Sequence, residues 1–317
     1  MLYGIAAGIA WALETVILGI ALSSSRFISD AQAMFLAPFV STFIHDAASA
    51  VIMCGYNGIR KNLKKVSGAL KTRDFRYLAL ASAVGGPVGM TGYVLAVNNM
   101  GSSVGAVASA VYPAIGALLA HFFLKEKLRW YQWIFLLCTL LGVFGLSYSP
   151  GEGISGSVIG LIGVFMCAFG WGTEGVILSK CFRGGEIGSD AALQLRQTVS
   201  ALIYGLVIIP AVGGVRFTVR LFSADGISIL MIIAAAAFFA TVSYLCYYRA
   251  IAKLGAPKAM GLNITYTAWA VIFTVIFFGD RSVLEPRTIL CCIAVVVFGI
   301  LSAADLRGIT KKNDTVG

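Results

Sequence analysis

Two short segments of the chain carry the same arrangement of an indole and a carboxylate. Residues 11–19 read WALETVILG and residues 171–179 read WGTEGVILS, so Trp-x-x-Glu-x-Val-Ile-Leu recurs 160 residues later. Positions i and i+3 share one face of a helix, which sets Trp11 beside Glu14 and Trp171 beside Glu174. A ring quadrupole next to a carboxylate is chemistry for a cation, above all for a quaternary ammonium, which has no N–H to donate. Each desolvated ring contact contributes up to ~2 kcal/mol, and the carboxylate supplies the counter-charge. Tyr112, Tyr244, Tyr266 and Trp269 are further aromatics for such a cage, and Asn263 offers an amide. A competing reading has the tryptophans packing against neighbours and the glutamates pairing with Arg196 or Arg249. Recurrence of the pair favours ligand binding.

The other ionisable groups in apolar surroundings are few: His45, Asp46, His121, Arg196 and Arg249. Each costs about 2.5–3.5 kcal/mol at mid-membrane on the insertion scale, so each calls for a reason. His45 and Asp46 are neighbours in sequence, about 100° apart on a helix, and are expected not to bond to each other. A histidine with an ordinary pKa near 6.5 beside a cavity suits proton coupling; the alternative is a structural histidine. Arg196 and Arg249 are expected to be internal counter-ions, and His121 to sit at the membrane interface.

These residues need helices to position them. The chain has 317 residues, 59% hydrophobic and 12% charged, with a mean hydropathy of +0.88. A soluble domain carries roughly 25% charged residues, so the composition is that of an all-α polytopic membrane protein. Ten apolar runs are each long enough to cross a bilayer: 2–23, 31–56, 76–98, 101–124, 130–149, 157–180, 190–212, 226–250, 258–279 and 288–304. The first run lacks a basic leader segment and contains Glu14, so a cleaved signal peptide is not expected. The net charge of +10 does not point to nucleic acid, because Lys and Arg collect in alternate loops. One set of loops holds 17 of them and the opposite set five, which predicts cytoplasmic termini. The seven cysteines show no metal-binding spacing and are expected to be small buried hydrophobes, neither disulfides nor metal ligands.

The repeat extends beyond the Trp-Glu segments. YVLAVNNMGSSVGAVASAVYPAIGALLAHFFLKEK, from Tyr93, aligns without gaps on YYRAIAKLGAPKAMGLNITYTAWAVIFTVIFFGDR, from Tyr247. Tyr112 falls on Tyr266 and Ser109 on Asn263. Residues 1–150 therefore form one five-helix repeat and 151–306 a second, with 307–317 a cytoplasmic tail. Because five is odd, the second copy enters the membrane from the opposite side. Inverted-topology repeats of this kind hold substrate near the midplane between the halves. Gly85-x-x-x-Gly89 and Gly101-x-x-x-Gly105 are read as helix-packing motifs, and Pro87 and Pro113 free backbone carbonyls inside spans.

Ten spans in two halves, the first closing on AVASAVYPAIGALLAHFFLKEK, resemble the EamA-type repeats of the drug/metabolite transporter superfamily. More narrowly, HDAASAVI, GGPVGMTGYVLAV, AFGWGTEGVILS, LQLRQTVS, VSYLCYYRAI and PKAMGLNITYTAW are similar to the lic-operon choline transporters. That resemblance implies choline uptake across the bacterial cytoplasmic membrane, through Trp11, Trp171, Glu174 and cavity tyrosines, with His45 and Asp46 in the family's His-Asp position. Glu14 stands where a small residue is expected and Arg249 where an apolar one is, and a Glu14–Arg249 pair would keep the site's charge unchanged. The implied partners are a choline-like cation and the lipid bilayer, with no nucleic acid, no cofactor and no metal, in a monomer or weak homodimer. The rival within transport is an exporter of amino acids or other small metabolites, with Arg196 or Arg249 lining its cavity. No GxxxxGK[ST] occurs, which excludes an ATP-driven pump unless a partner supplies the nucleotide site. No HExxH or serine-nucleophile motif supports an intramembrane enzyme.

Overall fold

A computed structural model describes residues 1–100, 102–147, 157–223, 226–279 and 281–306, and the described regular structure is entirely helical. Nine helices among these residues are long and apolar enough to cross a bilayer: span 1 Leu2–Leu22, span 2 Ala31–Ile59, span 3 Asp74–Val97, span 5 Trp130–Ser147, span 6 Val158–Gly184, span 7 Ser189–Ala211, span 8 Ile227–Leu254, span 9 Ala256–Phe278 and span 10 Pro286–Ala303. Span 4, Ser102–Leu124, completes the ten the sequence leads one to expect. Residues 101, 148–156, 224–225, 280 and 307–317, the last being the stretch expected as a cytoplasmic tail, lie outside the described residues.

The connections are more ordered than their composition suggests. The basic linker after span 2 contains a short helix, Leu63–Ala69, and another, Val215–Leu221, follows span 7. Asp30 caps span 2, its carboxylate accepting from the Ala33 N–H at 2.8 Å. Span 6 outlasts its expected end by one turn and stops where Gly185 takes the left-handed conformation, φ 74°.

Spans 3, 7 and 9 are not regular α-helices throughout. A π-helical turn covers Val84–Val88 in span 3, around Pro87, and another covers Tyr204–Ile208 in span 7, just before Pro210. Proline removes one ladder donor, and the widened turn accommodates the carbonyl it leaves. Span 9 is broken: Ala256–Asn263 and Tyr266–Phe278 are separated by a turn at Ile264 and Thr265. No proline sits at that break. Thr265 instead donates its hydroxyl to the Leu262 carbonyl at 2.7 Å, adding to the bond that oxygen accepts from the Thr265 N–H at 3.3 Å.

Packing between spans follows a simple rule. Span 1 lies against spans 8 and 9, span 6 against spans 3 and 4, span 2 against span 7, and span 5 against span 10. Exchanging each span n with span n+5 leaves these pairs unchanged, as an internal two-fold relation requires. Small residues let the backbones approach. Gly163 of span 6 meets the Ala96 nitrogen and the Gly92 carbonyl of span 3, where an added Cβ would stand 2.6 Å from each. Away from these contacts Val51, Leu206, Met231 and Ile276 are exposed, an apolar exterior that fits lipid. Cys167 and Cys181 are buried as expected, whereas Cys54 is on the exterior.

The basic loops converge on one end of the bundle. Glu126, after span 4, accepts from Ser179 at 2.7 Å and Arg183 at 2.6 Å, and its carboxylate lies against Gly255. Lys253 stands over the Tyr3 ring at 4.7 Å, and Arg129 pairs with Asp305 at 3.2 Å. Both the N-terminal residues and Asp305 therefore lie at this end. Arg26, Asp30, Arg216 and Arg220 gather around a separate cleft beside the start of span 2.

Candidate substrate site

A cavity opens between the two halves, lined by Trp11, Tyr112, Trp171, Glu174, Gly175, Ser243, Tyr244, Tyr247, Asn263 and Tyr266. Spans 1, 4, 6, 8 and 9 each supply part of the wall. Trp11 meets Tyr244 edge-on with centroids 4.9 Å apart and Tyr266 at 6.3 Å. Across the cavity Trp171 meets Tyr112 edge-on at 6.0 Å, and Tyr93 stacks behind it at 6.1 Å. The edge-on geometry directs positive ring edges at neighbouring faces, which fixes the rings as a rigid box. Asn263 donates its amide to the Tyr112 hydroxyl at 3.1 Å, and its own carbonyl oxygen is buried without a partner. Ser109 and the Tyr266 hydroxyl are 3.4 Å apart, so the break in span 9 faces the residues the repeat matches to it.

Seven of the residues expected from sequence meet here: Trp11, Trp171, Glu174, Tyr112, Tyr244, Tyr266 and Asn263. Trp269 does not line the cavity; it lies one turn beyond Tyr266, with its indole nitrogen buried and unpartnered. Glu14 does not line it either. Its carboxylate turns toward span 2, where Oε1 is 3.7 Å from His45 Nε2 and Oε2 accepts from Thr15 at 3.3 Å. Tyr247, Ser243 and Gly175 went unread in the sequence. Tyr247 had a signal, since it heads the segment of the second repeat that aligns on the one starting at Tyr93. Ser243 had none, being held by the Ala7 carbonyl at 2.8 Å through a contact spanning the whole chain.

Behind Glu174 stands a buried charge network. Arg196 donates from Nε to Glu174 Oε1 at 2.8 Å, and from Nη1 to Gln197 at 2.9 Å and Asp46 Oδ2 at 3.4 Å. Ser200 donates to the same Asp46 oxygen at 2.6 Å. His45 Nδ1 lies 3.0 Å from the other oxygen, Oδ1. The expectation that His45 and Asp46 would not bond is thus corrected. Arg196 and Ser200 anchor Oδ2, which leaves Oδ1 free to swing back along the helix to its neighbour. The arginines also divide. Arg196 is the counter-ion of Glu174, while Arg249 bonds Asp190 and the Tyr56 hydroxyl, each at 3.0 Å, near the basic end. The Glu14–Arg249 pair does not form. His121 is exposed near the end of span 4, against Phe122.

The glycine run GGPVGM shapes this network rather than only packing helices. A Cβ on Gly85 would fall on the Glu174 carboxylate, one on Gly86 on the Ser200 hydroxyl, and one on Gly89 would stand 2.7 Å from the Trp171 ring. The π-turn carries Gly85 and Gly86 past the site, and Gly89 follows it directly.

Residues 1–148 match the model of the EamA-like transporter family. Protein LicB of Haemophilus influenzae is 30% identical over 91% of this chain and 92% of its own length. An uncharacterized transporter of Clostridium kluyveri is 24% identical over 80% of this chain and 79% of its own. One crystal structure shares the fold with a TM-score of 0.71 over 96% of this chain and 95% of that one, at 14% identity. With that fold, and with a relative alike over nearly its full length, this multi-pass membrane protein belongs to the EamA-like transporter family of the drug/metabolite transporter superfamily.

Proposed function

We propose that the protein imports choline or a related quaternary amine across the bacterial cytoplasmic membrane, driven by the proton gradient or the membrane potential. The observation that carries this reading is the charge balance behind the aromatic box. Glu14, Asp46 and Glu174 are buried together with a single guanidinium, Arg196, and the imidazole of His45. With all three carboxylates ionised the group is one positive charge short even when His45 is protonated, and buried charge imbalance is costly. A monovalent cation in the cavity, beside Glu174 and faced by Trp11, Tyr244 and Trp171, supplies the missing charge. Moving that cation inward at 100 mV gains about 2.3 kcal/mol without ATP. The sequence likeness to the lic-operon choline transporters points the same way. For an exporter of amino acids, the site should present a cation to the substrate carboxylate, yet neither Arg196 nor Arg249 is among the residues lining the cavity.

The basic end is assigned to the cytoplasm on the positive-inside rule, and His45 with Asp46 to coupling. Uptake of labelled choline into proteoliposomes, with and without an inward pH gradient, tests the function directly. Choline has no transferable proton, so any choline-linked alkalinisation outside must come through the protein. His45→Gln and Asp46→Asn should keep choline binding within severalfold and lose that proton signal. Wild-type uptake that follows membrane potential alone would leave both residues structural.

A further inference from the structure

Arg196 already occupies the two features that a quaternary ammonium would use. Its guanidinium donates to Glu174 at 2.8 Å and its central carbon lies 5.0 Å from the Tyr244 ring centroid. Both Glu174 and Tyr244 line the cavity, while Arg196, 3% exposed, stands behind them. A cation over an aromatic face and beside a carboxylate is the arrangement inferred above for the substrate, here made by the protein's own side chain. A second carboxylate is also within reach, since Nη1 is 3.4 Å from Asp46 Oδ2.

We infer that Arg196 is an internal stand-in for the substrate cation: substrate entering the cavity displaces the guanidinium from Glu174 and transfers it to Asp46. The inference rests on the cation-transport reading. Two physical consequences follow. In the empty protein Arg196 neutralises Glu174, so the unloaded site can be enclosed without a bare Glu174 carboxylate facing the cavity, which would be strongly unfavourable in the membrane. In the loaded protein the guanidinium strengthens its contact with Asp46, whose other oxygen faces His45, so occupancy of the cavity is transmitted to the coupling pair through one side chain. Ser200 holds Asp46 in place for both arrangements. Gly85 and Gly86 keep clear the space in which Glu174, Ser200 and Arg196 meet.

Arg196→Gln separates this role from a merely structural one. Tetramethylammonium is the probe, because it carries the charge and no hydrogen-bond donor. At pH 8 the folded variant should bind tetramethylammonium about tenfold more tightly than wild type in calorimetry, its competitor having gone. In proteoliposomes the variant should retain choline–choline exchange yet lose most net uptake, because only the empty protein must enclose a bare carboxylate. Unchanged or weaker binding by the folded variant, or equal loss of exchange and net uptake, overturns the inference. Should the variant not fold, the wild-type structure with tetramethylammonium bound decides. The Arg196–Glu174 contact should have opened and the Arg196–Asp46 contact closed; a guanidinium still seated on Glu174 overturns the exchange while leaving cation transport intact. A wild-type protein that binds neither tetramethylammonium nor choline overturns both.

Discussion

In span 6 the indole and the carboxylate of Trp171 and Glu174 both reach the cavity, whereas in span 1 only Trp11 does and Glu14 turns away to His45. Residues three apart on a helix differ by about 60° in direction, so sharing a face leaves room for two neighbours to claim them. On span 6 the adjoining backbone is glycine at positions 85, 86 and 89, and Glu174 fits into the space with Arg196 as its partner. On span 1 the claimant is a histidine on span 2, and the carboxylate follows it. A motif repeated in sequence thus gives one half of the protein a cavity-facing carboxylate and the other half a carboxylate beside His45.

The largest effect that this contrast predicts is at Glu174. Glu174→Gln should weaken choline binding at least tenfold, because losing a desolvated counter-charge costs over ~1.4 kcal/mol. Calorimetry on the folded variant measures it, and an unchanged affinity removes Glu174 from substrate recognition. The two tryptophans should come next. Trp11→Leu and Trp171→Leu should each weaken binding of trimethylated amines by roughly three- to tenfold, the loss of one ring face. The halves should differ in stability: Trp171 is wedged beside Gly89 and between Tyr93 and Tyr112, so its truncation should lower the melting temperature more than that of Trp11. Equal melting temperatures with equal affinity losses would erase the asymmetry between the two boxes.

Much of the molecule could be read from the chain because a membrane punishes exceptions. Ten apolar runs mark the spans, and a charge inside one of them, such as Glu174 or Arg196, stands out against its surroundings. Alignment of the halves brought Tyr112, Tyr266 and Asn263 to the site, since an inverted repeat puts matched positions across one axis. What could not be read is which side chain each charge meets. Arg249 looks like a partner for Glu14 in sequence, yet Asp190 and Tyr56 take it near the basic end. The break in span 9 has no proline to announce it. It follows from tertiary contact, where Gly299 of span 10 lets its backbone approach Thr265 and the Gly261 carbonyl. The bond between His45 and Asp46 likewise depends on Ser200 and Arg196, some 150 residues away.

The smallest effect on affinity should come from Glu14, and it sharpens the contrast most. Its carboxylate is absent from the cavity wall, 5% exposed, and 3.7 Å from His45 Nε2, a nitrogen without any hydrogen-bond partner. The charged and titratable groups around it are His45 and Asp46 on span 2, with Tyr93 and Tyr244 contributed by spans 3 and 8. Glu14→Gln keeps the shape and the contact with Thr15 but removes the charge. Choline affinity at neutral pH should therefore change less than threefold, whereas Glu174→Gln changes it tenfold or more. The pH dependence of uptake should move instead. With the carboxylate gone, the charged neighbour of His45 Nε2 is gone too, so the half-maximal point of proton-driven uptake should move along the pH axis. Initial rates of choline uptake across a pH series, at zero membrane potential, compare the two variants on one axis. If Glu14→Gln costs as much affinity as Glu174→Gln and leaves the pH profile where it was, then the two Trp-Glu pairs act alike on the substrate. Their different neighbours would then carry no functional meaning.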